Sequence, residues 1–214
     1  MRLVFASNNA HKLEEVRKIM PAGVEVLSLS EIGFHHEIEE TGSTLEENSR
    51  IKAETVWDYI NDGMSAAKPL NDGLMIDGVF ADDTGLEIHA LGGKPGVYSA
   101  RWAGSPEANR AKALSELKEK EDRSAQFRTV ITLIRRPHPT SPEGEEFVQV
   151  EGIVRGRIAE QEYGKGGFGY DPVFVPEGYE KTFGELPAEI KNEISHRARA
   201  LQKLVTALDI KDER

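Results

Sequence analysis

Six residues, Ser7-Asn8-Asn9-Ala10-His11-Lys12, follow directly on the apolar run Leu3-Val4-Phe5-Ala6. They bring hydroxyl, amide and ammonium donors to the start of a helix, where the first backbone N–H groups have no partner within the helix, and that combination suits a phosphate. The same residues also read as an ordinary helix cap with a solvated lysine, and the glycines of a P-loop are absent. Two acidic groups come next, Glu39-Glu40-Thr41-Gly42 and Asp82-Asp83-Thr84-Gly85. Carboxylates from separate segments can share one Mg²⁺ against a polyphosphate; equally, Glu near a helix start complements its dipole and Asp-Thr-Gly is a common turn. The fourth group joins Gly164-Lys165-Gly166-Gly167-Phe168-Gly169-Tyr170-Asp171-Pro172 to Lys191-Asn192-Glu193-Ile194-Ser195-His196-Arg197. Glycines admit a ligand close to the backbone, Phe168 offers a stacking face, and Asp171 and Arg197 offer opposite hydrogen-bonding edges to a planar base. A glycine turn, a core aromatic and a Ser-capped helix would leave the same residues. The remaining histidines, His35, His36, His89 and His138, lack ligand spacing, which argues against zinc.

These groups must be carried by elements that place them. Leu3 to Ala6 reads as a strand, and Leu13, Val16, Ile19 and Met20 recur at helical spacing until Pro21 and Gly23 stop them. Val24 to Leu27 is a second short strand. Thr44-Leu45-Glu46-Glu47 has the form of a capping box, opening a helix to about Ile60 with Leu45, Ala53, Val56, Trp57 and Ile60 on one face. Asn61 to Gly78 reads as a loop. Val79-Phe80-Ala81 reads as a strand ending at Asp82, with alternation resuming at Leu86 and Ile88 before a turn at Gly92 to Gly96. Val97 to Trp102 reads as packing and cleft wall. Ser105-Pro106 supplies a cap and a first-turn proline for a helix carrying Ala108, Ala111, Leu114 and Leu117. Phe127 to Ile134 and Phe147 to Val154 suggest an antiparallel pair joined by a long, mobile loop at Arg135 to Glu146. A strand at Val173 to Val175 and a closing helix from about Ser195 complete the chain. Helices alternating with strands, with that pair in the middle, predict a mixed α/β sheet flanked by helices in a single domain.

With 27 Lys+Arg against 37 Asp+Glu in 214 residues, the net charge is −10, which disfavours non-specific nucleic-acid binding and leaves anion binding to local basic pockets. Zero cysteines exclude disulfides, Cys-ligated metals and a thiol nucleophile. No apolar run approaches the ~18–20 residues that cross a bilayer, and Met1 to Ala6 lacks a signal peptide's apolar region, so no membrane partner and a cytoplasmic location are expected.

Taken in order, six blocks resemble the inosine triphosphate pyrophosphatase family, the Ham1-like pyrophosphatases of non-canonical purine nucleotides such as dITP, XTP and ITP. They are Ser7 to Lys12, Glu39 to Gly42, Ala81 to Leu86, Pro95-Gly96-Val97-Tyr98-Ser99-Ala100-Arg101, Gly166 to Pro172 and Ser195 to Arg197. The resemblance spans nearly all of residues 1–214. It implies an elongated ITPase-like, anticodon-binding-type α/β domain with two lobes around a substrate cleft, usually as a homodimer. It also implies Mg²⁺-dependent hydrolysis between the α and β phosphates, giving monophosphate and pyrophosphate. By the same likeness Asn9 and Lys12 would contact the triphosphate, with Ser7, Asn8, Ala10 and His11 lining that loop. Glu40 and Asp83 would be the metal carboxylates, with Asp83 the proton acceptor, although adjacent Glu39 could replace or assist Glu40. Thr84 stands where many relatives have Ser. Phe168, Gly169, Tyr170 and Asp171 would frame the base, and Lys191, His196 and Arg197 would close over base and phosphates. Asn61 to Gly78 and the Pro-rich loop at His138 look longer than in compact bacterial relatives. A Maf-like pyrophosphatase for other modified nucleotides, or a non-catalytic nucleotide sensor or RNA-binding module, would be the competing readings.

Overall fold

A computed structural model of the chain describes residues 1–61, 75–136 and 146–208. The loops expected at Asn61 to Gly78 and at Arg135 to Glu146, His138 included, lie mostly outside those residues. The elements run β1 (Arg2–Phe5), α1 (Ala10–Ile19), β2 (Glu25–Leu27), α2 (Leu45–Asn61), β3 (Gly78–Ile88), β4 (Pro95–Gly96), α3 (Pro106–Glu116), β5 (Ser124–Arg135), β6 (Glu146–Ile158), β7 (Phe174–Pro176), α4 (Ala188–Ile194) and α5 (His196–Ala207). The described strands make one seven-stranded sheet in the order β2-β1-β3-β5-β6-β7, with β4 paired to β3. Strand β1 is parallel to both β2 and β3, in register Leu3↔Val26 and Val4↔Val79. Strands β4 and β7 join antiparallel, at Leu86↔Gly96 and Arg157↔Val175. The fold is therefore mixed α/β, and β5 and β6 are sheet neighbours as expected.

Packing divides the chain into two compact units, one of Met1–Asp83, Val130–Val150 and Leu201–Arg214, the other of Thr84–Thr129 and Glu151–Ala200. In the first unit, α2 lays Ala53, Val56, Trp57 and Ile60 onto Val4 and Ala6 of the β1 segment and Val79 and Ala81 of β3. Each large apolar side chain so buried contributes about 1.5–3 kcal/mol. The helix starts where Thr44 Oγ1 accepts from the Glu47 N–H at 3.1 Å. The reciprocal half of the expected capping box is displaced by one residue, because the Glu47 carboxylate accepts from the backbone N–H of Ser43, at 2.6 Å.

In the second unit Leu86 and Ile88 of β3 pack with Leu117, Phe127, Phe174 and Phe183. Phe174 lies between Phe127 and Phe183, at ring-centroid distances of 4.7 and 5.5 Å. Ser105 caps α3 as its sequence predicts, Oγ accepting from the Ala108 N–H at 3.1 Å. Helix α4 has no counterpart in the sequence reading. It starts behind Pro187, and the extended Ser195 ends it. Ser195 then caps α5, its Oγ accepting from the Ala198 N–H.

The main departure is at β3. The sequence reading ends this strand at Asp82 and allows a turn at Asp-Thr-Gly, whereas the strand continues without interruption to Ile88. Its N-terminal part pairs with β1 through Phe80, and its C-terminal part pairs with β4 at Leu86 and Glu87. Backbone partners on both stretches make extension favourable through the acidic residues. The acids themselves are buried inside a strand and not exposed at its end.

Candidate active site

The expected phosphate loop and both acidic groups come together within the first unit. Asn9 caps α1, its Oδ1 accepting from the Lys12 N–H at 3.2 Å, and Ser7 Oγ accepts from the Asn9 N–H. Asn8, Asn9, Ala10 and His11 are exposed around that turn. The cap reading of the loop therefore holds, but Lys12 is not a solvated lysine: its Nζ donates to Asp82 Oδ1 at 2.8 Å. A fixed ammonium and an open helix N-terminus thus share one loop.

A second ammonium organises the acids. Lys52 Nζ, on α2, lies 2.7 Å from Glu40 Oε1 and 3.1 Å from Asp83 Oδ1. Glu40 is the half-buried residue that reaches the cluster, while Glu39 is exposed. One helical turn before Lys52, the buried Asn48 donates from Nδ2 to Asp83 Oδ2 at 3.4 Å. Sequence reasoning missed both Asn48 and Lys52. The available signal was the interrupted apolar face of α2: between Leu45 and Ala53, the inward positions are Asn48, Ser49 and Lys52, all buried. Polar residues at helical spacing within an apolar stripe mark a place where that stripe meets buried charge.

Three carboxylates, Glu40, Asp82 and Asp83, face two ammoniums here. Burial, and then the neighbouring Glu40, push the Asp83 carboxyl above its ordinary value, against the opposing pull of Lys52 and Lys12. Burial alone would lower Lys52, but Asp83, Asp82 and Glu40 outweigh it and hold that ammonium above its usual range. The cluster keeps an excess negative charge and a carboxyl inclined to take up a proton.

Among the described residues, no group of three or more His, Cys, Asp or Glu side chains is placed to hold a metal. Mg²⁺ nevertheless suits the donor set, since it keeps several waters and is commonly held by one or two carboxylates together with substrate phosphates. Glu40 and Asp83 are hard oxygen donors converging on a single cation, the Lys52 ammonium.

The second unit gathers the other group. Lys191 Nζ stands 4.5 Å from the centroid of the Phe168 ring, and the Arg197 guanidinium lies over the same ring at 5.8 Å. Arg197 is 1 % exposed, which is tolerable for a guanidinium only with polar or aromatic partners. Its Nη2 reaches Thr84 Oγ1 at 3.5 Å, and Thr84 in turn shares a 2.7 Å hydroxyl contact with Thr129. Asp171 is a support for this group: Oδ2 accepts from Lys191 Nζ at 2.8 Å and from the Phe168 N–H at 2.7 Å. Gly167, at φ +72°, lies so close to that carboxylate that a Cβ would collide with it, so the turn requires glycine. Arg110 of α3 holds the next carbonyl, donating to Gly169 O at 2.9 Å.

Two residues expected to touch substrate sit deeper than the ring. Tyr170 is packed in the core with its hydroxyl donating to Ser99 O at 3.0 Å, and burial pushes its phenol well above the usual value. His196 is buried and stacked on Phe127, with ring centroids 4.6 Å apart. Ser99, in the stretch read as packing, also accepts from the Leu86 N–H at 2.8 Å and so ties β3 to the Tyr170 hydroxyl. Among the described residues no helix is long and apolar enough to cross a membrane.

The profile of the Ham1 family matches residues 3–207. A dITP/XTP pyrophosphatase of Bacillus subtilis is 48% identical over 212 residues, covering 96% of each chain. A dITP/XTP pyrophosphatase of Flavobacterium johnsoniae is 44% identical over 97% of this chain and 98% of its own. Among solved structures, the Ham1 protein of Staphylococcus aureus superposes with a TM-score of 0.76 at 40% identity, covering 98% of both chains. Agreement of this extent in sequence, coverage and fold leaves one assignment: the chain belongs to the Ham1 family.

Proposed function

We propose that this chain is a Mg²⁺-dependent nucleoside-triphosphate pyrophosphohydrolase that converts dITP, XTP and ITP to the monophosphate and pyrophosphate, so clearing them from the nucleotide pool. The observation that carries this reading is the buried cluster in which Glu40 and Asp83 share Lys52 while Asp82 holds Lys12. The name dITP/XTP pyrophosphatase borne by full-length relatives supports the choice of substrate.

Each residue has a task that its surroundings favour. Lys12 and Lys52 exchange carboxylate oxygens for phosphate oxygens when the triphosphate enters, so their charge is already in place and costs little reorganisation. Asn9, with Ser7, Asn8, Ala10 and His11, presents donors at the N-terminus of α1 to the same phosphates. Asp83, inclined toward protonation, accepts a proton from the attacking water. The water oxygen bonds to the α-phosphorus, the bond to the bridging oxygen breaks, and pyrophosphate leaves with that oxygen. Mg²⁺ held by Glu40 and Asp83 would supply neutralisation of the phosphate charge.

In the second unit Phe168 and Gly169 supply a stacking face and close backbone, with Asp171 and Tyr170 fixing the turn behind them. Lys191, Arg197 and the α5 start at His196 favour a 6-oxo purine. The 6-amino group of adenine would oppose donors with a donor, a mismatch of about 1–3 kcal/mol. Residues 1–214 act in this reading as one catalytic domain, a cytoplasmic homodimer whose partner is free nucleotide and not nucleic acid, in keeping with a net charge of −10.

Pyrophosphate and free phosphate released from ITP, dITP, XTP, GTP and ATP under saturating Mg²⁺ test the proposal. Fast pyrophosphate release from the first three alone is expected. Binding of all five without turnover would replace the enzyme with a nucleotide sensor.

A further inference from the structure

Asn48 stands where two separate pieces of the charged cluster meet. It is fully buried on the first turns of α2. Its Oδ1 accepts from the backbone N–H of Gly42 at 2.8 Å, and its Nδ2 donates to Asp83 Oδ2 at 3.4 Å. The orientation of the amide follows from chemistry: a backbone N–H can only donate, so the oxygen faces Gly42 and the NH₂ is left for the carboxylate. Gly42 lies two residues beyond Glu40. A Cβ there would fall 2.7 Å from Asn48 Oδ1 and 2.6 Å from Glu47 Cβ, so the segment bearing Glu40 approaches α2 this closely only with glycine at that position.

We propose that Asn48 is a positioning residue that sets the spacing of Glu40 and Asp83, holding the Glu40 segment through the Gly42 amide and the Asp83 carboxylate through its own NH₂. Lys52, one turn further along α2, takes the other oxygen of Asp83 and also Glu40. The two residues differ in kind. The ammonium is a charge that an incoming cation and phosphate must displace or share. The amide is neutral, adds nothing to the local charge and meets Asp83 at Oδ2, the oxygen opposite the one Lys52 takes. This inference rests on the pyrophosphohydrolase reading for its kinetic consequences only, because the spacing it describes belongs to the protein without substrate.

Three full-length variants separate the two halves of the grip. Asn48→Asp keeps an acceptor for Gly42 but sets a carboxylate against Asp83. Asn48→Ala removes both contacts, and Gly42→Ala drives the Glu40 segment off the helix while leaving the contact with Asp83. Amide hydrogen exchange at Gly42, Mn²⁺ binding followed by electron paramagnetic resonance, and pyrophosphate release are read on each. Exchange at Gly42 is expected to quicken about 100-fold in Asn48→Ala and to stay slow in Asn48→Asp. Mn²⁺ affinity should fall about 10-fold or more in Asn48→Ala and Gly42→Ala, and kcat of Asn48→Asp should fall about 10–100-fold with KM nearly unchanged. The proposal is overturned if folded Asn48→Ala keeps Gly42 protected, or if the Asn48 variants keep Mn²⁺ affinity and kcat within about 3-fold of the parent. A parent protein that releases no pyrophosphate would instead sink the proposed function, while exchange and Mn²⁺ binding would still decide the role of Asn48.

Discussion

Buried charge is handled in opposite ways in the two units. In the first, three carboxylates share two ammoniums, and Asp83 is left with its carboxyl raised by burial and by Glu40. In the second, Asp171 pairs with Lys191 at 2.8 Å, both almost wholly buried, and the carboxylate also accepts from the Phe168 N–H. The first arrangement holds unbalanced charge that an incoming cation and phosphate can relieve. The second uses the Asp171 carboxylate to fix a glycine turn beneath an aromatic ring over which both Lys191 and Arg197 lie. Transformation suits the crowded carboxylates and recognition suits the fixed turn, because a reacting group must change partners whereas a template must not.

The sharpest way to break this comparison is to neutralise one carboxylate in each unit. Asp83→Asn should lower turnover by about 10²–10⁴-fold, the usual worth of a general base, with nucleotide still bound. Its stability should change by roughly 1 kcal/mol or less, since removing one of three acids leaves two against two ammoniums. The sign follows from the raised carboxyl: its contribution to stability is full below the unfolded pKa and is lost as pH rises through the folded value, so at neutral pH a neutral side chain relieves that cost. Asp171→Asn should do the reverse. Removing the counter-charge of a buried Lys191 is expected to cost about 3–5 kcal/mol, measured by urea unfolding, whereas kcat of the molecules that remain folded falls far less than in Asp83→Asn. Equal stability losses in the two variants would erase the distinction.

The same contrast explains what was legible in the amino-acid sequence. Local signals were read well: the Ser7 to Lys12 stretch does hold a helix cap, Ser105 caps α3, and the interval from Leu45 to Ile60 is one helix. The glycine turn and Phe168 gather with Lys191 and Arg197 as the motif blocks imply. What escaped depends on partners distant in sequence. Asp82-Asp83-Thr84-Gly85 has the composition of a turn, and only pairing with β1, more than seventy residues earlier, and with β4 makes it mid-strand. Lys52 and Asn48 escaped because a search for apolar periodicity passes over polar residues on the inward face, although their spacing from Leu45 and Val56 is helical. Tyr170 and His196 were expected near the base from the resemblance alone, and the Ser99 carbonyl and the Phe127 ring that anchor them in the core depend on partners no local pattern shows.

Base selectivity sharpens the comparison on the recognition side. Arg197→Ala should narrow the preference for ITP over ATP by a factor of about 5–150, equivalent to 1–3 kcal/mol, with pyrophosphate still the product. An unchanged ratio would remove Arg197 from base discrimination and leave it as a prop for Phe168.

A hydrogen-bonded carboxylate in open water supplies the smallest effect and a control for the rest. Asp122 is fully exposed, and its carboxyl is held down to about 2 by hydrogen bonds from Ser124 and His89. The direction is opposite to that of Asp83: the ionised form is favoured on folding, so its contribution is present above the unfolded pKa of about 4 and disappears as pH falls to the lowered value. Solvent screening keeps such a contribution small however short the contact, here 2.6 Å between His89 Nδ1 and Asp122 Oδ2. Asp122→Asn should therefore lower the melting temperature slightly at neutral pH and converge on the parent as pH falls through that acid window, leaving pyrophosphate release nearly untouched. A loss at neutral pH as large as that of Asp171→Asn would mean that burial does not distinguish the carboxylate contacts of this protein, and the contrast between its two units would rest on distance alone.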